Sequence, residues 1–420
     1  GKIFHGANRP GDLASWDFYF KAPRTKYEYK RPANLPASAW APWGPLDNDD
    51  KEMFDSKVVN WAISELEKPH NKPFFLACGF TKPHLPWHVP RKYFDMHPLD
   101  KIVLPETLIN DREDLPVFGK KLAREVHDVS GPRNFAEHGE DHNMILKYNQ
   151  WYRAVQSYLA TISFVDFHVG RLLKALKESE HADNTIIVLW GDHGWHLGEK
   201  QHWRKHALWE TTTRTTLIIS SPEQSAKNKL CQSPVSLIDL YPTIVQLCNL
   251  PVRNGLDGQS IVPLLQNPNR KWDRPVLTTF GKGNHAVRTK RWRYIRYHDG
   301  GEELYDHDAD PKEWTNLVIS EINSYYRKRD KLESQTSVDF LNAEIAKTSL
   351  SQVKEVIAEL LQEETQKLAL VEAKEFYVFD YIDPPSVMEK KAEPKRALIC
   401  IFGAFLGLML GMLIVLVRHY

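Results

Sequence analysis

The chain is poor in cysteine and carries almost no net charge. Its 420 residues include only four cysteines, at irregular spacing, and 55 basic residues nearly balance 54 acidic ones. The four cysteines match neither a zinc-binding pattern nor a disulfide framework. The balanced charge gives no sign of the basic surface that a nucleic-acid-binding protein needs, so we expect no nucleic-acid partner. A charged fraction of 26% is typical of a globular protein with an ordinary core.

Long apolar runs are also scarce, and the most informative short run ends in chemically active residues. Residues 186–190 read Ile-Ile-Val-Leu-Trp, which predicts a strand buried on both faces, and Asp192 and His193 follow between Gly191 and Gly194. Ligands of open α/β sheets collect where such strands end. A carboxylate and an imidazole at that place suit one metal ion, and the glycines would allow a sharp turn or a close approach to a ligand. The alternative is a satisfied turn without a ligand.

Three short segments carry a resemblance to a known family. Residues 1–5 read Gly-Lys-Ile-Phe-His, residues 81–87 read Thr-Lys-Pro-His-Leu-Pro-Trp, and residues 192–199 read Asp-His-Gly-Trp-His-Leu-Gly-Glu. In this order they resemble the type I sulfatases, in particular the group of iduronate-2-sulfatase and its bacterial relatives. Shorter matches continue in the same order, so that the resemblance covers roughly residues 1–317.

The resemblance implies a role for each matching residue. A sulfate ester needs cations that hold its oxygens, and it needs an acid that protonates the departing alcohol. Asp192 would be a calcium ligand, and His193 would be a ligand or a near neighbour of the ion. Five residues would act on the substrate: Lys2 (bridging the nucleophile and the sulfate), His5 (collapsing the hydrated aldehyde), Lys82 and Lys205 (holding sulfate oxygens) and His84 (donating a proton to the leaving group).

Plainer interpretations of these residues stay open. Lys82 and Lys205 would then be ordinary solvated lysines, and His5 a capping or core histidine. Neighbouring side chains are alternative substrate contacts. They are His88, His196, His202, His206 and Arg204, the last as a partner for a uronic acid carboxylate.

Two elements of the sulfatase pattern are missing. The family carries a Cys-X-Pro-Ser-Arg signature, whose cysteine is oxidised to formylglycine, and an Asp pair that holds calcium, both upstream of the segment that matches residues 1–5. None of the four cysteines here has that spacing. We therefore expect a fragment that lacks the nucleophile and does not turn over sulfate esters by itself.

The coarse pattern predicts an α/β fold. Residues 149–179 predict a long helix whose apolar face includes Val155, Ile162 and Val169, and residues 74–80 and 217–219 predict further strands. By resemblance this is an alkaline-phosphatase-like doubly wound sheet with a small C-terminal antiparallel sheet. The predicted organisation has four parts: the catalytic domain at 1–270, a small C-terminal subdomain at 271–317, a helical stalk and spacer at 318–396, and a transmembrane helix at 397–417.

The C-terminal part differs in character from the rest. Apolar residues recur at near-heptad spacing over residues 341–371, which predicts a helix that either self-associates or folds back on its own domain. Residues 397–417 are uncharged and long enough to cross a bilayer, and Gly403, Gly407 and Gly411 form a small-residue face. The last hundred residues resemble the end of bacterial polysaccharide chain-length determinant proteins.

Together the two resemblances imply a single-pass protein of the bacterial inner membrane with its sulfatase body in the periplasm, although the basic residues before the span favour the opposite orientation.

Three functions remain in competition. The first is a calcium-dependent sulfatase acting on sulfated sugars or polysaccharides. The second is a phosphodiesterase-like hydrolase of the alkaline phosphatase superfamily. The third is a non-enzymatic membrane component of polysaccharide assembly.

Overall fold

The computed structural model describes residues 2–3, 13–23, 25–27, 43–123, 141–222, 226, 228–347 and 351–373. The chain divides into two compact units, residues 1–320 and 321–420. The predicted site residue His5, the spacer at 374–396 and the predicted transmembrane span at 397–417 lie outside the described residues.

The regular elements are short, apart from three helices. The helices are α1 (Phe54–Leu66), α2 (Arg91–Asp95), α3 (Val117–Ala123), α4 (Asp141–Lys147), α5 (Trp151–Glu178), α6 (Glu210–Thr213), α7 (Leu240–Leu247), α8 (Val262–Gln266), α9 (Leu317–Lys347) and α10 (Ser351–Ala373). The strands are β1 (Trp43–Leu46), β2 (Trp87–Pro90), β3 (Ile187–Trp190), β4 (His196–Leu197), β5 (Trp203–Arg204), β6 (Leu217–Ser220), β7 (Val276–Thr279), β8 (His285–Arg288), β9 (Trp292–Arg296) and β10 (Glu302–Asp306).

Helix α5 organises the first unit. It confirms the helix predicted over residues 149–179, and it packs on the parallel pair β1–β2 and on α1 and α2. Its buried face matches the predicted one only in part: Val155 is buried, whereas Ile162, a predicted core position, is 42% exposed. Small and polar side chains on the buried face let neighbouring backbones approach closely, and Ser56 bonds to the imidazole of His168 at 2.8 Å. The buried face consists of Ala154, Val155, Ser157, Ala160, Thr161, Phe164, His168 and Leu176.

The environment predicted for strand β3 was wrong in two respects. β3 pairs antiparallel with β6, so that Val188 lies opposite Ile219, and no parallel neighbour of β3 occurs within the described residues. Trp190 and Ile218 are 47% and 55% exposed, so the strand is not buried on both faces there. An apolar run indicates that a strand is suited to burial, but it does not specify whether the neighbouring strand runs parallel or antiparallel.

Residues 74–80 were predicted to form a strand and do not form one with any described residue. A strand requires a neighbour that exchanges backbone hydrogen bonds along its length. Over this segment the described residues supply one such bond, from the Lys2 amide to the Gly79 carbonyl at 2.9 Å. Phe74 and Phe75 are 38% and 69% exposed. The segment nevertheless places the following residues beside Lys2.

A four-stranded antiparallel sheet closes the first unit. Its order is β10-β9-β8-β7, which confirms the small C-terminal sheet expected from the sequence. Leu208 and Trp209 pack against Ile295 and Tyr305 of this sheet, and all four are nearly inaccessible to solvent. The segment that follows Lys205 is therefore anchored in the core of the C-terminal sheet.

The second unit contains long polar helices. Helices α9 and α10 confirm helical structure over the described part of the predicted stalk, although the helix begins at Leu317, well before residue 341. On α10 the side chains of Val353, Val356 and Leu360 are 42%, 57% and 46% exposed. Within the part of the chain that the structure describes, no helix has the length and apolar character required to cross a membrane.

Candidate functional site

Lys82 and His84 lie on a loop held by a buried carboxylate. Asp55, in the first turn of α1, accepts the backbone N–H of Thr81 through one oxygen and that of Lys82 through the other, both at 2.9 Å. The His84 amide in turn donates to the Thr81 carbonyl at 3.0 Å. The loop also contains cis peptide bonds before Pro83 and Pro86. Its backbone is therefore fixed by the end of a helix that lies far away in sequence.

Asp192 and His193 lie in the loop after β3, as predicted from the apolar run. Asp192 is exposed and His193 is half-buried. Gly194 is pressed against α6, because a Cβ at this position would lie 2.0 Å from the Thr211 carbonyl oxygen. Its amide donates to the Thr212 carbonyl at 2.7 Å. The glycine is thus required for packing of the loop on α6 and not for a positive φ.

Residues from four distant segments share one electrostatic environment. Burial lowers the pKa of His84, and the charges of Lys2, Lys205 and His193 lower it further, against the Leu85 carbonyl. Burial also lowers the pKa of His193, where Asp192 opposes the effect and Lys205 and Lys2 add to it. The five interacting side chains, which we call the cationic cluster, are Lys2, His84, Asp192, His193 and Lys205.

Lys205 is also affected by its neighbours in the cationic cluster. Burial lowers its pKa, Asp192 opposes this, and Lys2 lowers it again. Two ammonium groups and two imidazoles therefore share one carboxylate in the described part of the site. An arrangement of this kind attracts a tetrahedral oxyanion, because such an anion relieves the repulsion between the cations.

The tautomers of both cluster histidines follow from their hydrogen bonds. The Nδ1 atom of His84 lies 2.6 Å from the Leu85 carbonyl oxygen, and that of His193 lies 2.7 Å from the Gly194 carbonyl oxygen. A carbonyl oxygen only accepts, so each Nδ1 carries a proton and donates. In the neutral rings Nε2 is then the basic atom, available for proton transfer or for a metal.

The Asp192 and His193 pair fits a divalent cation. His193 Nε2 is buried without a hydrogen-bond partner among the described residues, and it lies 3.5 Å from Asp192 Oδ2. Two acceptor atoms that face each other at this distance repel unless a proton or a cation lies between them. Each would lie about 2.0–2.6 Å from a shared ion. Two ligands do not complete a coordination shell, so further donors are required.

Lys82 has different charged neighbours from the other predicted site residues. Its ammonium group donates to the Pro86 carbonyl oxygen, the charge that acts on it is that of Asp55, and its own charge helps to lower the pKa of His88. Burial lowers the pKa of Lys82 to about 8, against the opposing charge of Asp55. Lys82 thus lies on the same loop as His84, but in this conformation its ammonium group is bonded to the Pro86 carbonyl oxygen, and the carboxylate whose charge acts on it is that of Asp55.

The alternative contacts considered from the sequence are mostly core residues. His88, His196 and His202 are at most 4% exposed, and the hydroxyl of Thr212 bonds to His196 Nδ1 at 2.7 Å. Arg204 is buried and paired with Asp141 at 2.9 Å, so its guanidinium is already used inside the protein. Aromatic and ion-pair packing, which the local pattern does not reveal, accounts for these four residues.

A second group of possible metal ligands is an ion-pair network. Atoms of Glu210, His307 and Glu313 lie within 4.8 Å of one another. Arg293 contacts both carboxylates, at 2.5 Å for Glu313, and Arg288 also pairs with Glu210 at 3.1 Å. The two guanidinium groups already neutralise the two carboxylates, so this group does not favour an added cation. We call these five residues the arginine network.

With the geometry in place, comparison with known proteins identifies the family. Residues 5–250 match the family model described as Sulfatase, which is well over half of the chain. The chain belongs to the sulfatase family. Residues 198–337 of this sulfatase chain also match the C-terminal domain model of N-sulphoglucosamine sulphohydrolase, and residues 350–420 match the model described as G-rich domain on putative tyrosine kinase (GNVR). The suspected sulfatase family and the resemblance of the tail to chain-length determinant proteins are both confirmed.

Individual relatives are similar over part of their length. A sulfatase of Formosa agariphila is 37% identical over 76% of this chain and 58% of its own length. Mouse iduronate 2-sulfatase is 30% identical over 60% of this chain and 52% of its own length. The chain thus spans between half and three-fifths of these relatives.

Solved structures support the fold. A phosphonate monoester hydrolase from Silicibacter pomeroyi superposes with a TM-score of 0.56 at 22% identity, and the match covers 69% of this chain and 62% of that one. At this identity the similarity is evidence for the fold alone. It confirms an alkaline-phosphatase-like sulfatase fold for the first unit, although β3 pairs antiparallel.

Two residues of this sulfatase site were not singled out from the sequence. Asp55 looks like an ordinary acidic residue at the start of a helix, and Trp195 looks like an ordinary core aromatic. The Trp195 ring lies 6.3 Å from the rings of both His84 and His193, and its Nε1 is buried without a hydrogen-bond partner among the described residues. The position of Trp195, two residues after His193, could have drawn attention to it in the sequence. No feature of the local sequence distinguishes Asp55.

Proposed function

We propose that this chain supplies the anion-binding and proton-donating side of a sulfatase active site that acts on sulfated sugars or polysaccharides. The observation that carries the proposal is that the rings of His84 and His193 both lie 6.3 Å from the Trp195 ring, while the charges of Lys2 and Lys205 act on both imidazoles. These residues come from four separate segments, and folding gives them a common environment. Membership of the sulfatase family supports a sulfate ester as the anion.

Each member of the cationic cluster then has a chemical task. The ammonium groups of Lys2 and Lys205 bind sulfate oxygens and stabilise negative charge as the ester bond breaks. The bound anion offsets the lysine charges that lower the pKa of His84, which favours a proton on its Nε2. That proton passes to the oxygen of the departing alcohol, while Nδ1 remains bonded to the Leu85 carbonyl.

We further propose that the cation at Asp192 and His193 is calcium. The exposed carboxylate is a hard oxygen ligand of the kind that calcium prefers, and the unpartnered Nε2 of His193 is the second ligand atom. When bound, a divalent ion supplies Lewis-acid stabilisation of a sulfate oxygen. We expect the unmodified chain to bind calcium, and we expect a variant with Asp192 replaced to lose that binding.

The nucleophile is not supplied by the described cysteines. Burial raises the pKa of Cys78 to about 12, which keeps it a neutral thiol, and no cysteine in the chain has the Cys-X-Pro-X-Arg spacing. We propose that the 420-residue chain binds sulfate but does not hydrolyse sulfate esters by itself. Measurable hydrolysis of an aryl sulfate by this chain would contradict that statement.

Inorganic sulfate is the probe that tests the anion site. We expect the Lys205→Met variant to bind sulfate about tenfold more weakly than the unmodified chain, which corresponds to about 1.4 kcal/mol. Isothermal titration calorimetry measures the difference, and Lys229→Met, which removes an exposed lysine elsewhere, is the matched control. Equal sulfate affinity in both variants would contradict the proposed site. A marked preference for phosphate would favour a phosphoester hydrolase instead.

The C-terminal tail supports a location at a membrane. The GNVR match covers residues 350–420, and the run at 397–417 has the length of a bilayer span. We propose a single-pass membrane protein whose sulfatase body faces the periplasm and whose stalk helices contact a second copy. Fractionation of cells that express the full chain tests the first statement, and a soluble product would contradict it. Chemical crosslinking within the stalk tests the second.

A further inference from the structure

Asp55 uses its carboxylate in an unusual direction for a residue at the start of a helix. Acidic side chains in a first turn ordinarily face the free N–H groups of their own helix or the solvent. Here both oxygens leave the helix and accept N–H groups of the Thr81–Lys82 loop, at 2.9 Å each. The residue is 3% exposed, so these bonds replace its hydration.

The loop that Asp55 holds leads directly into the cationic cluster. The Thr81 carbonyl accepts the His84 amide at 3.0 Å, so two successive hydrogen-bonding steps connect the Asp55 carboxylate to the His84 backbone. The His84 ring interacts electrostatically with Lys2, Lys205 and His193. A shift of the Thr81–Lys82 backbone would therefore move His84 relative to the anion site.

Asp55 also carries the negative charge that faces Lys82. Burial raises the pKa of Asp55, and the two backbone N–H groups and Lys82 lower it. The titratable groups around this pair are His88, which feels the charge of Lys82, and Cys78 and Tyr27, which feel that of Asp55. None of these neighbours can replace the Asp55 carboxylate as a counter-charge, because a histidine is neutral or positive, and the thiol and the phenol are neutral at pH 7.

We propose that Asp55 is a positioning residue of the sulfatase site, which fixes the Thr81–Lys82 backbone so that His84 faces the anion site. The catalytic consequence rests on the proposed function. The structural consequence does not, because it concerns the loop alone. The geometry on which it depends is the pair of bonds from the two carboxylate oxygens to successive N–H groups.

The test is Asp55→Asn in the full chain. An asparagine keeps the size of the side chain, but it loses the negative charge and offers an NH₂ group to one of the two backbone donors. NMR of ¹³C-methylated lysines measures the titration midpoint of Lys82, with Lys82→Arg as the assignment control. We expect the midpoint to fall from about 8 by about one further unit, because an opposite charge is removed. We also expect the ring resonances of His84 to shift.

A matched control separates positioning from general damage. Asp239 is 1% exposed and likewise accepts two backbone N–H groups, from Ser236 at 3.0 Å and from Gln259 at 2.8 Å. Asp239→Asn should lower the stability of the fold without moving the Lys82 midpoint or the His84 resonances. If Asp55→Asn does not fold, Asp55→Glu retains the charge, and it should leave the Lys82 midpoint near 8 while shifting His84.

The outcomes distinguish this proposal from the proposed function. Unchanged Lys82 and His84 signals in folded Asp55→Asn, or an Asp239→Asn variant that shifts them equally, would overturn the positioning role. If the signals move as expected but the unmodified chain does not bind inorganic sulfate, the positioning role stands and the sulfatase proposal fails. Sulfate affinity that falls in Asp55→Asn and not in Asp239→Asn supports both.

Discussion

The arginine network and the cationic cluster are two groups of charges in the same unit, and they are balanced differently. In the network, Arg293 is 2% exposed and contacts Glu313, Glu210 and the Leu208 carbonyl, so that each charge has a counter-charge. In the cluster, two lysines and two histidines share the exposed carboxylate of Asp192. Paired charges attach Glu210 and Glu313 to the arginines of the C-terminal sheet, whereas the excess of basic side chains in the cluster is the basis of the proposed anion site.

The pKa values of titratable residues in the two groups reflect the same difference in charge balance. Burial alone would raise the pKa of Glu313, yet the charge of Arg293 and the bond from His307 hold it at about 2. In the cluster, burial and neighbouring cations act together to lower the pKa values of His84 and His193. The network therefore contains favourable charge pairs, whereas in the cluster burial and neighbouring positive charges both disfavour protonation of the two imidazoles.

The largest expected effect is produced by breaking the network. Glu313→Gln leaves Arg293 buried with one carboxylate instead of two, and removing one partner from a buried ion pair costs about 3–5 kcal/mol. Chemical denaturation measures this loss. Glu302→Gln is the control, since Glu302 pairs with the exposed Arg296 at 3.9 Å and should cost less than about 1 kcal/mol. Equal losses in both variants would mean that the network does not stabilise the fold.

Acid should weaken the same network without a mutation. The pKa of Glu313 is about 2 in the folded protein and 4.5 in the reference state, so its contribution is complete above pH 4.5 and is lost as pH falls towards 2. The full loss is about 3 kcal/mol. Other carboxylates also titrate in this range, so the measurement is the difference between unmodified protein and Glu313→Gln. That difference should shrink between pH 5 and pH 3; a constant difference would contradict the low pKa.

A smaller effect is expected at the boundary between the two regions. Gly194→Ala places a Cβ 2.0 Å from the Thr211 carbonyl oxygen, so the loop with Asp192 and His193 must move, at a cost of about 1–3 kcal/mol. Gly170→Ala is the control, because a Cβ there meets nothing within 4 Å and should stabilise α5 by up to about 1 kcal/mol. We expect Gly194→Ala also to weaken sulfate binding; unchanged stability and binding would show that the loop tolerates the added methyl group.

The sequence indicated individual parts of the site better than their surroundings. An apolar run followed by Asp192 and His193 was enough to place both residues in a loop at the end of a strand. The proximity of Lys2, His84 and Lys205 was inferred from family resemblance and not from spacing, since the folding that unites them involves contacts between distant segments. Asp55 escaped notice because its hydrogen-bond partners are 26 and 27 residues away.

The same limit applies to the fold. Periodicity correctly predicted α5, which depends on a local pattern, whereas the C-terminal sheet was expected from the family resemblance. Periodicity identified only part of the covered side of α5, since small residues such as Ala160 allow close packing without a strong apolar signal. Nor did it reveal that β3 pairs with β6, because strand direction depends on the path of the chain between them.

Helix α6 is a single turn that contacts the arginines of the C-terminal sheet on one side and the loop with Gly194 on the other. Glu210 at its start pairs with Arg288 and Arg293, and the Thr211 and Thr212 carbonyls crowd and hold Gly194. The four residues of α6 therefore connect the C-terminal sheet to the loop with Asp192 and His193. A small displacement of that sheet should move this loop and weaken ligand binding while the protein remains folded, so a defect in binding need not originate among the residues that touch the ligand.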